Sequence, residues 1–364
     1  MKKSIGIGII GTGFARRTQI PAFQDLENAK VVSVASGSFG NAESTAKEFG
    51  IEHFTDDWRE TVTRKDLDLI CITTPPDLHH EITLFALNHN KHILCEKPMA
   101  MDIGEALEMT QHAKEKGVLA LIDHELRFTN GRMKAFKMIR EGKIGKILHS
   151  KYHFCNSMRG DPNLPWTWWS DKTQGGGTLG AIGSHAIDTF RWFLDAEIAE
   201  VTCRMNTHTK LRLMKNSDKA REVTTDDEAL MILKFGKSDL ISNATAIVSL
   251  SMVEAGNYRN TVEFFGTKGA LRIEDGGEVF FAETKEAKWT QVNFDLGKVA
   301  DGMQIGGWSR GFVNLSEKII EALLEEKADV ENAATFDDGV QIQRVLDAAR
   351  ESDKLLKTIS LQVQ

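Results

Sequence analysis

Lys97 lies in Glu96-Lys97-Pro98, directly after the apolar run His92-Ile93-Leu94-Cys95. A lysine leaving a buried strand enters a partly desolvated crevice, where its charged form is disfavoured and it can serve as an acid or a base. The plain alternative is an exposed loop lysine paired with Glu96. His185, in Gly183-Ser184-His185, is the second proton-transfer candidate, because imidazole titrates near neutral pH. It equally suits a structural histidine on a helix with Ile182 and Ile187. The third pattern is Gly8-Ile9-Ile10-Gly11-Thr12-Gly13-Phe14-Ala15-Arg16. Glycines between a strand and a helix let the backbone turn and approach a pyrophosphate, and the helix N-terminus offers N–H groups and a positive dipole end. Arg16 stands where a full G-x-G-x-x-G would place a small residue, and Ala15 supplies a small side chain one position earlier.

NAD-preferring sites close the second strand with Asp or Glu, which binds the ribose 2′-hydroxyl. Here that strand runs Val34-Ala35-Ser36-Gly37-Ser38, without a carboxylate. Ser36, Ser38 and Arg16 or Arg17 would tolerate a 2′-phosphate, which tilts the expectation from NAD towards NADP. The same serines would equally well shape a loop. Thr73-Thr74-Pro75-Pro76-Asp77-Leu78-His79 comes after one apolar run as Glu96 and Lys97 come after another. Both groups fall at carboxyl ends of strands, where open α/β sheets bind ligands. Thr73, Thr74, Pro75 and His79 therefore join Gly11, Thr12, Gly13, Phe14, Ala15, Arg16, Ser36, Ser38, Glu96 and Lys97 as cofactor candidates. Trp168 and Trp169, with Trp166, suit stacking on sugar C–H faces or a core cluster. Glu125 and Arg127 open a second domain as substrate contacts or as an ion pair, and Arg159 and Asp161 offer further polar contacts.

Those residues need positioning elements. Ser4–Ile10, Val31–Ala35, Asp68–Thr73, His92–Cys95 and Val118–Ile122 read as buried strands. They alternate with helices over 14–27, Asn41–Phe49, His79–Asn90 and Ile103–Lys116, a rhythm that argues a parallel sheet with right-handed crossovers. After a helix at 132–141 the pattern changes to strands at Leu148–Asn156, Ala199–Thr209, Leu230–Phe235, Leu240–Leu250, Thr261–Phe265 and Ala270–Ile273, a mostly antiparallel sheet. Gly266-Thr267-Lys268-Gly269 suggests a hairpin. Lys210–Thr225 is polar and without periodicity, so a mobile loop is expected. Phe312, Leu315, Ile319 and Leu323 share a helical stripe, and Val340–Ala349 is the last helix. The fold class is α/β, with a dinucleotide-binding domain at 1–123 and a substrate-binding and dimerisation domain at 124–364 whose last helix can pack back on the first.

Composition excludes other classes. The chain has 364 residues, a net charge of −7 and no long basic run, so nucleic acid is not an expected partner. No apolar stretch approaches the roughly 20 residues of a membrane span. Met1-Lys2-Lys3 before Ile5–Ile10 superficially resembles a signal peptide, but the run is glycine-interrupted and lacks a cleavage site. Cys71, Cys95, Cys155 and Cys203 form no C-x-x-C pair, the pattern of free thiols in a cytoplasm. His79, His80, His89 and His92 lack metal-ligand spacing, and no G-x-S-x-G elbow occurs.

The sequence resembles the glucose–fructose oxidoreductase / inositol dehydrogenase (Gfo/Idh/MocA) family over nearly its whole length. The resemblance rests on Gly11-Thr12-Gly13, Thr74-Pro75-Pro76 with His79, His92 through Pro98, Glu125-Leu126-Arg127-Phe128, Gly142-Lys143-Ile144-Gly145, Gly175-Gly176-Gly177, Gly183-Ser184-His185 and the hairpin glycines. It implies a Rossmann domain followed by a large open sheet that often joins subunits, hence a homodimer or homotetramer. It also implies hydride transfer between nicotinamide and a secondary alcohol or ketone of a sugar, cyclitol or related molecule. Lys97 would bind the reacting oxygen and move its proton, with His185 as the other acid/base. Many members carry an aspartate four residues before that histidine. Ala181 stands there, and Asp188, three residues after His185, is a possible substitute. Two other readings stay open: a glycoside-cleaving enzyme that uses NAD, and a nicotinamide-binding sensor without catalysis.

Overall fold

The computed structural model describes residues 4–362. Strand β1 (Ile5–Ile10) is buried at every position, as a parallel strand covered on both faces requires. The single helix expected over 14–27 is instead two, α1 (Gly13–Arg17) and α2 (Gln19–Gln24). Pro21 explains the break: it has no N–H to give the carbonyl of Arg17, and its ring crowds that carbonyl. Next come β2 (Ala29–Ala35), α3 (Phe39–Phe49), β3 (His53–Thr55), α4 (Trp58–Thr63) and β4 (Leu69–Ile72). They are followed by α5 (His79–Asn88), β5 (His92–Cys95), α6 (Ile103–Lys116) and β6 (Ala120–Ile122). Asp102 caps α6 by accepting from Glu105 N, and Gly117 ends it at φ 63°.

The second stretch holds α7 (Asn130–Arg140), β7 (Ile147–Cys155), α8 (Ser184–Leu194), β8 (Ile198–Asn206), β9 (Leu211–Leu213), β10 (Ala220–Glu222), β11 (Glu228–Phe235) and β12 (Ile241–Ser251). Strands β13 (Arg259–Gly266), β14 (Gly269–Ile273), β15 (Val279–Glu283) and β16 (Thr290–Val292) complete it. The expected mobile loop at Lys210–Thr225 is in fact the antiparallel pair β9–β10. Its inward residue is Arg212, whose guanidinium donates to the carbonyls of Arg159, Asp161 and Leu164. A strand that buries arginine leaves no apolar period to read. The chain closes with α9 (Gly307–Leu324), β17 (Ala334–Thr335), α10 (Phe336–Leu355) and β18 (Ile359–Ser360).

Two compact units result. One joins the chain up to Thr129 with Gly297–Val340; the other joins Asn130–Leu296 with the residues from Gln341 onward. The first unit carries a seven-stranded sheet in the order β17-β6-β5-β4-β1-β2-β3, parallel except for β17. Its strand order reverses between β1 and β4. Phe312, on the predicted α9 stripe, meets Phe23 edge-on at 5.5 Å within that unit. The second unit carries a nine-stranded sheet in the order β16-β15-β14-β13-β7-β12-β11-β8-β18, antiparallel except for β12 on β7. Along β11, Ala229, Met231, Leu233 and Phe235 are buried, whereas Leu230 and Ile232 on the other face are exposed, with Ile247 of β12 beside them.

Candidate dinucleotide and proton-transfer site

The turn after β1 is held by its neighbours on both sides. Gly11 N donates to Ala35 O, and Thr73 Oγ1 donates to Gly11 O, both at 2.8 Å. Gly11 sits at φ 100°, and a Cβ there would lie 2.4 Å from Thr73 O, so only glycine fits between the ends of β1 and β4. At Gly13 nothing lies within 4 Å of an added Cβ, so the face of the turn is open. Thr12 heads α1 without a side-chain cap, and Ala15 packs inward while Phe14 is half-buried. Thr12 Oγ1 and Ser36 Oγ lie 3.5 Å apart, which links the glycine turn to the end of β2. Ser38 accepts at its carbonyl from Asn41 N and Ala42 N and so starts α3. Arg16 is exposed and paired with Glu48.

The loops after β4 and β5 close the other side. Thr74 Oγ1 is buried with no hydrogen-bond partner among the described residues, and Pro75 leads into a short 3₁₀ turn. His79 is fully buried in the first turn of α5. Its Nδ1 lies 3.0 Å from Pro98 O and its Nε2 3.0 Å from Thr74 O, so it ties the two loops together. Burial, chiefly, pushes its pKa down to about 4. Lys97 has a side chain only 20% exposed, with Nζ 3.8 Å from Glu96 Oε2. That is not the exposed loop lysine of the plain alternative.

Two buried polar residues that no motif announced complete this group. Asp123, just past β6, and Gln19 of α2 join Glu96: Gln19 Nε2 donates to Asp123 Oδ2 at 2.8 Å and reaches Glu96 Oε1 at 3.4 Å. Asp123 carried a usable signal, since it stands at a strand end just as Thr73 and Glu96 do; Gln19 carried none. Glu125 and Arg127 are both buried in a 3₁₀ turn. Arg127 donates to Asn332 O at 3.3 Å and lies 3.5 Å from Asp338 Oδ2, a partner other than the Glu125 expected from the sequence.

The second unit holds the remaining candidates. His185 is buried in the first turn of α8, directly after a π-helical turn, Leu179–Gly183, that contains Ala181. Such turns re-aim the residues that come after them. Asp226 Oδ2 accepts from Leu179 N at 2.7 Å, and burial raises the Asp226 pKa to about 6. Asp188 is buried one helical turn beyond His185. Trp168 and Trp169 have ring centres 5.6 Å apart. Trp166 Nε1 donates to Glu222 O at 2.9 Å under the β9–β10 pair, with the Arg221 guanidinium 3.7 Å from its ring centre.

A glycine turn at the reversal point of a parallel sheet, flanked by polar loops at the carboxyl ends of β2, β4 and β5, defines a dinucleotide-binding Rossmann domain. The chain belongs to the GFO/IDH/MocA oxidoreductase family: residues 5–124 match its NAD-binding Rossmann fold and residues 133–272 its C-terminal domain. Levoglucosan dehydrogenase of Pseudarthrobacter phenanthrenivorans is 28% identical over 386 residues, covering 96% of each chain. Glucose-6-phosphate 3-dehydrogenase of Bacillus subtilis is 27% identical over 382 residues, covering 99% of each. A solved structure of levoglucosan dehydrogenase in complex with NADH and L-sorbose superimposes with a TM-score of 0.87 at 26% identity, covering 100% of both chains.

Proposed function

We propose that this protein is an NAD(P)-dependent dehydrogenase or reductase acting on a secondary alcohol or ketone of a sugar, cyclitol or related small molecule. The observation that carries this reading is Lys97, four-fifths buried where β5 ends, on the same sheet edge as the open glycine turn. The residues present fit a dinucleotide. Gly11 lets β1 turn tightly against Thr73, Gly13 leaves room for a pyrophosphate, the Thr74 hydroxyl is buried without a partner among the described residues, and Thr12 and Ser36 border the β2 end. The bound nicotinamide would supply or accept the hydride. Lys97 would hold the substrate oxygen and give or take its proton, and His79 would keep the two loops in register. His185 is the second acid/base group, with Trp168, Trp169, Glu125 and Arg127 bordering the substrate.

The experiment is steady-state absorbance at the reduced-nicotinamide band across a panel of sugars, cyclitols and polyols. Net turnover with at least one is expected. Dinucleotide binding without turnover on any of them would leave the sensor reading, which Ala181 favours. Bond cleavage with cofactor retained and no net reduction would leave the glycoside-cleaving one.

Two features bear on the choice of dinucleotide. The β2 end lacks a carboxylate to repel a 2′-phosphate, but Arg16, the cation that would attract one, is held by Glu48. NAD and NADP are therefore expected to bind within about tenfold of each other, about 1.4 kcal/mol. Titrations of both by intrinsic tryptophan fluorescence check this; a hundredfold gap in either direction overturns it. The apolar face bearing Leu230, Ile232 and Ile247 supports a homodimer or homotetramer through the second sheet. Among the described residues no helix is long and apolar enough to cross a membrane, and the four cysteines are buried and free, which supports a cytoplasmic protein.

A further inference from the structure

Glu96 leaves β5 and Asp123 leaves β6, neighbouring parallel strands in which Leu94 pairs with Leu121 and Cys95 with Ile122. That register sets residues 96 and 123 side by side, and Asp123 N donates to Cys95 O at 2.8 Å. Both side chains turn inward: Asp123 is 0% exposed and Glu96 7%. Gln19 closes the group from α2 by donating to both carboxyl groups. Lys97 Nζ stands against the remaining Glu96 oxygen, Oε2.

One atom of this group is unexplained. Asp123 Oδ1 is buried and no donor faces it among the described residues. Yet the Asp123 and Glu96 carboxyl groups lie side by side on one amide, with Gln19 Nε2 2.8 Å from Asp123 Oδ2 and 3.4 Å from Glu96 Oε1. Two carboxylates hold no donor between them, so the contact is a hydrogen bond only if one of them carries a proton. The local charges demand the same. Asp123 lies in the field of two further carboxyl groups, Glu125 and Glu96, and the buried thiols Cys71 and Cys95 are beside it. Like charges packed together in a dry site cannot all ionise.

We propose that Glu96 and Asp123 share one buried proton, and that Asp123 is a positioning residue that lets the charge on Glu96 follow the charge on Lys97. This rests on the reading of Lys97 as the acid/base. With Lys97 as an ammonium, the proton sits on Asp123 and Glu96 is the ionised counter-ion. When Lys97 has given its proton to the substrate oxygen, the shared proton passes from Asp123 to Glu96. One O–H bond breaks and one forms, no electron moves within the pair, and the negative charge comes to rest on Asp123, where the Gln19 amide donates to it. Oxidation runs the same transfer backwards. The amine then never loses its charge beside an ionised Glu96, so both of its protonation states are accessible. This gives the chain an ionisable partner for its proton carrier beside Lys97, where Ala181 leaves none four residues before His185. The titration tendencies agree: burial, then the charges of Glu125 and Glu96, drives Asp123 well up, while burial raises Glu96 and Lys97 partly offsets it.

The test begins with infrared spectroscopy of the unliganded full chain at pH 8, above the value of about 6 that holds for buried Asp226. The wild type is expected to show the carbonyl stretch of a protonated carboxylic acid, and Asp123→Asn to lack it. With a substrate from the panel, Asp123→Asn is expected to lower kcat about tenfold, the worth of one pKa unit, and to displace the pH–rate profile while KM changes less than about twofold. If Asp123→Asn does not yield folded protein, Glu96→Gln serves: the carboxyl pair is then broken, no proton can be shared, and the acid band is expected to leave its wild-type frequency. Absence of the band in the wild type, its survival at that frequency in the folded variant, or an unchanged pH–rate profile overturns the proposal. If no panel compound turns over, the catalytic reading fails by itself, and the infrared result still decides whether the proton is shared.

Discussion

Replacing Lys97 with methionine is expected to lower kcat about 10²- to 10⁴-fold, the usual worth of a positioned proton donor, while dinucleotide affinity changes by less than about threefold. Methionine keeps the length and the apolar stem of the side chain, so the packing around a group only 20% exposed is preserved. The substitution removes the ammonium that would meet the substrate oxygen. The loss should therefore appear in the chemical step, because that interaction strengthens as charge develops in the transition state. Lys97→Arg is expected to fare little better, since a guanidinium keeps its proton throughout the accessible pH range. Single-turnover reduction of the nicotinamide, with dinucleotide Kd measured on the same samples, separates the two quantities. Wild-type single-turnover rates in Lys97→Met would remove Lys97 from the chemistry. A parallel collapse of dinucleotide binding would instead place the lysine in the cofactor site.

The position of this residue is legible in the sequence because an apolar run ends in a charged tripeptide, while its choice between acid/base and loop lysine is not. A strand covered on both faces reads as such a run, and the residues just beyond it emerge where parallel sheets bind ligands. The same logic recovers β1 with its glycine turn and β4 with Thr73 and Thr74, and amphipathic periodicity recovers α6 to the residue. It fails where burial is not apolar or where an element is too short to show a period. Strand β9 turns Arg212 inward, β3 spans three residues, and the helix after Gly13 is cut by a proline that the apolar pattern ignores. In the site, the residues named singly by motif were legible, but the relation between Glu96 and Asp123 was not. It exists only because β5 and β6 lie next to each other in that register, which is a property of the sheet and absent from either segment. The π-helical turn before His185, held by Asp226 from a distant loop, escapes notice for the same reason.

His79 carries the second large effect. The first turn of α5 directs the ring into the protein, between Thr74 O and Pro98 O. Two carbonyls favour a ring with two N–H groups, whereas full burial favours the neutral ring, which donates from one nitrogen only. Burial is the larger influence, hence a pKa of about 4 against 6.5 for the free side chain. The folded protein then binds fewer protons than the unfolded chain between those two values. The histidine's contribution to stability is complete above pH 6.5 and is lost as pH falls towards 4, by about 2 kcal/mol at pH 5 and about 3 kcal/mol at the lower limit. His79→Gln keeps one donor and cannot titrate. At pH 7.5 it is expected to be about 1 kcal/mol less stable than wild type, because an amide fills the buried space of the ring less well. At pH 5 the order should reverse, because only the wild type must exclude a proton in order to fold. Urea unfolding of both proteins at the two pH values measures the difference directly, with every other titrating group common to the pair. A gap that stays constant with pH would mean that His79 does not titrate as a buried neutral ring, and that both nitrogens already donate to the loops that Thr74 and Pro98 anchor.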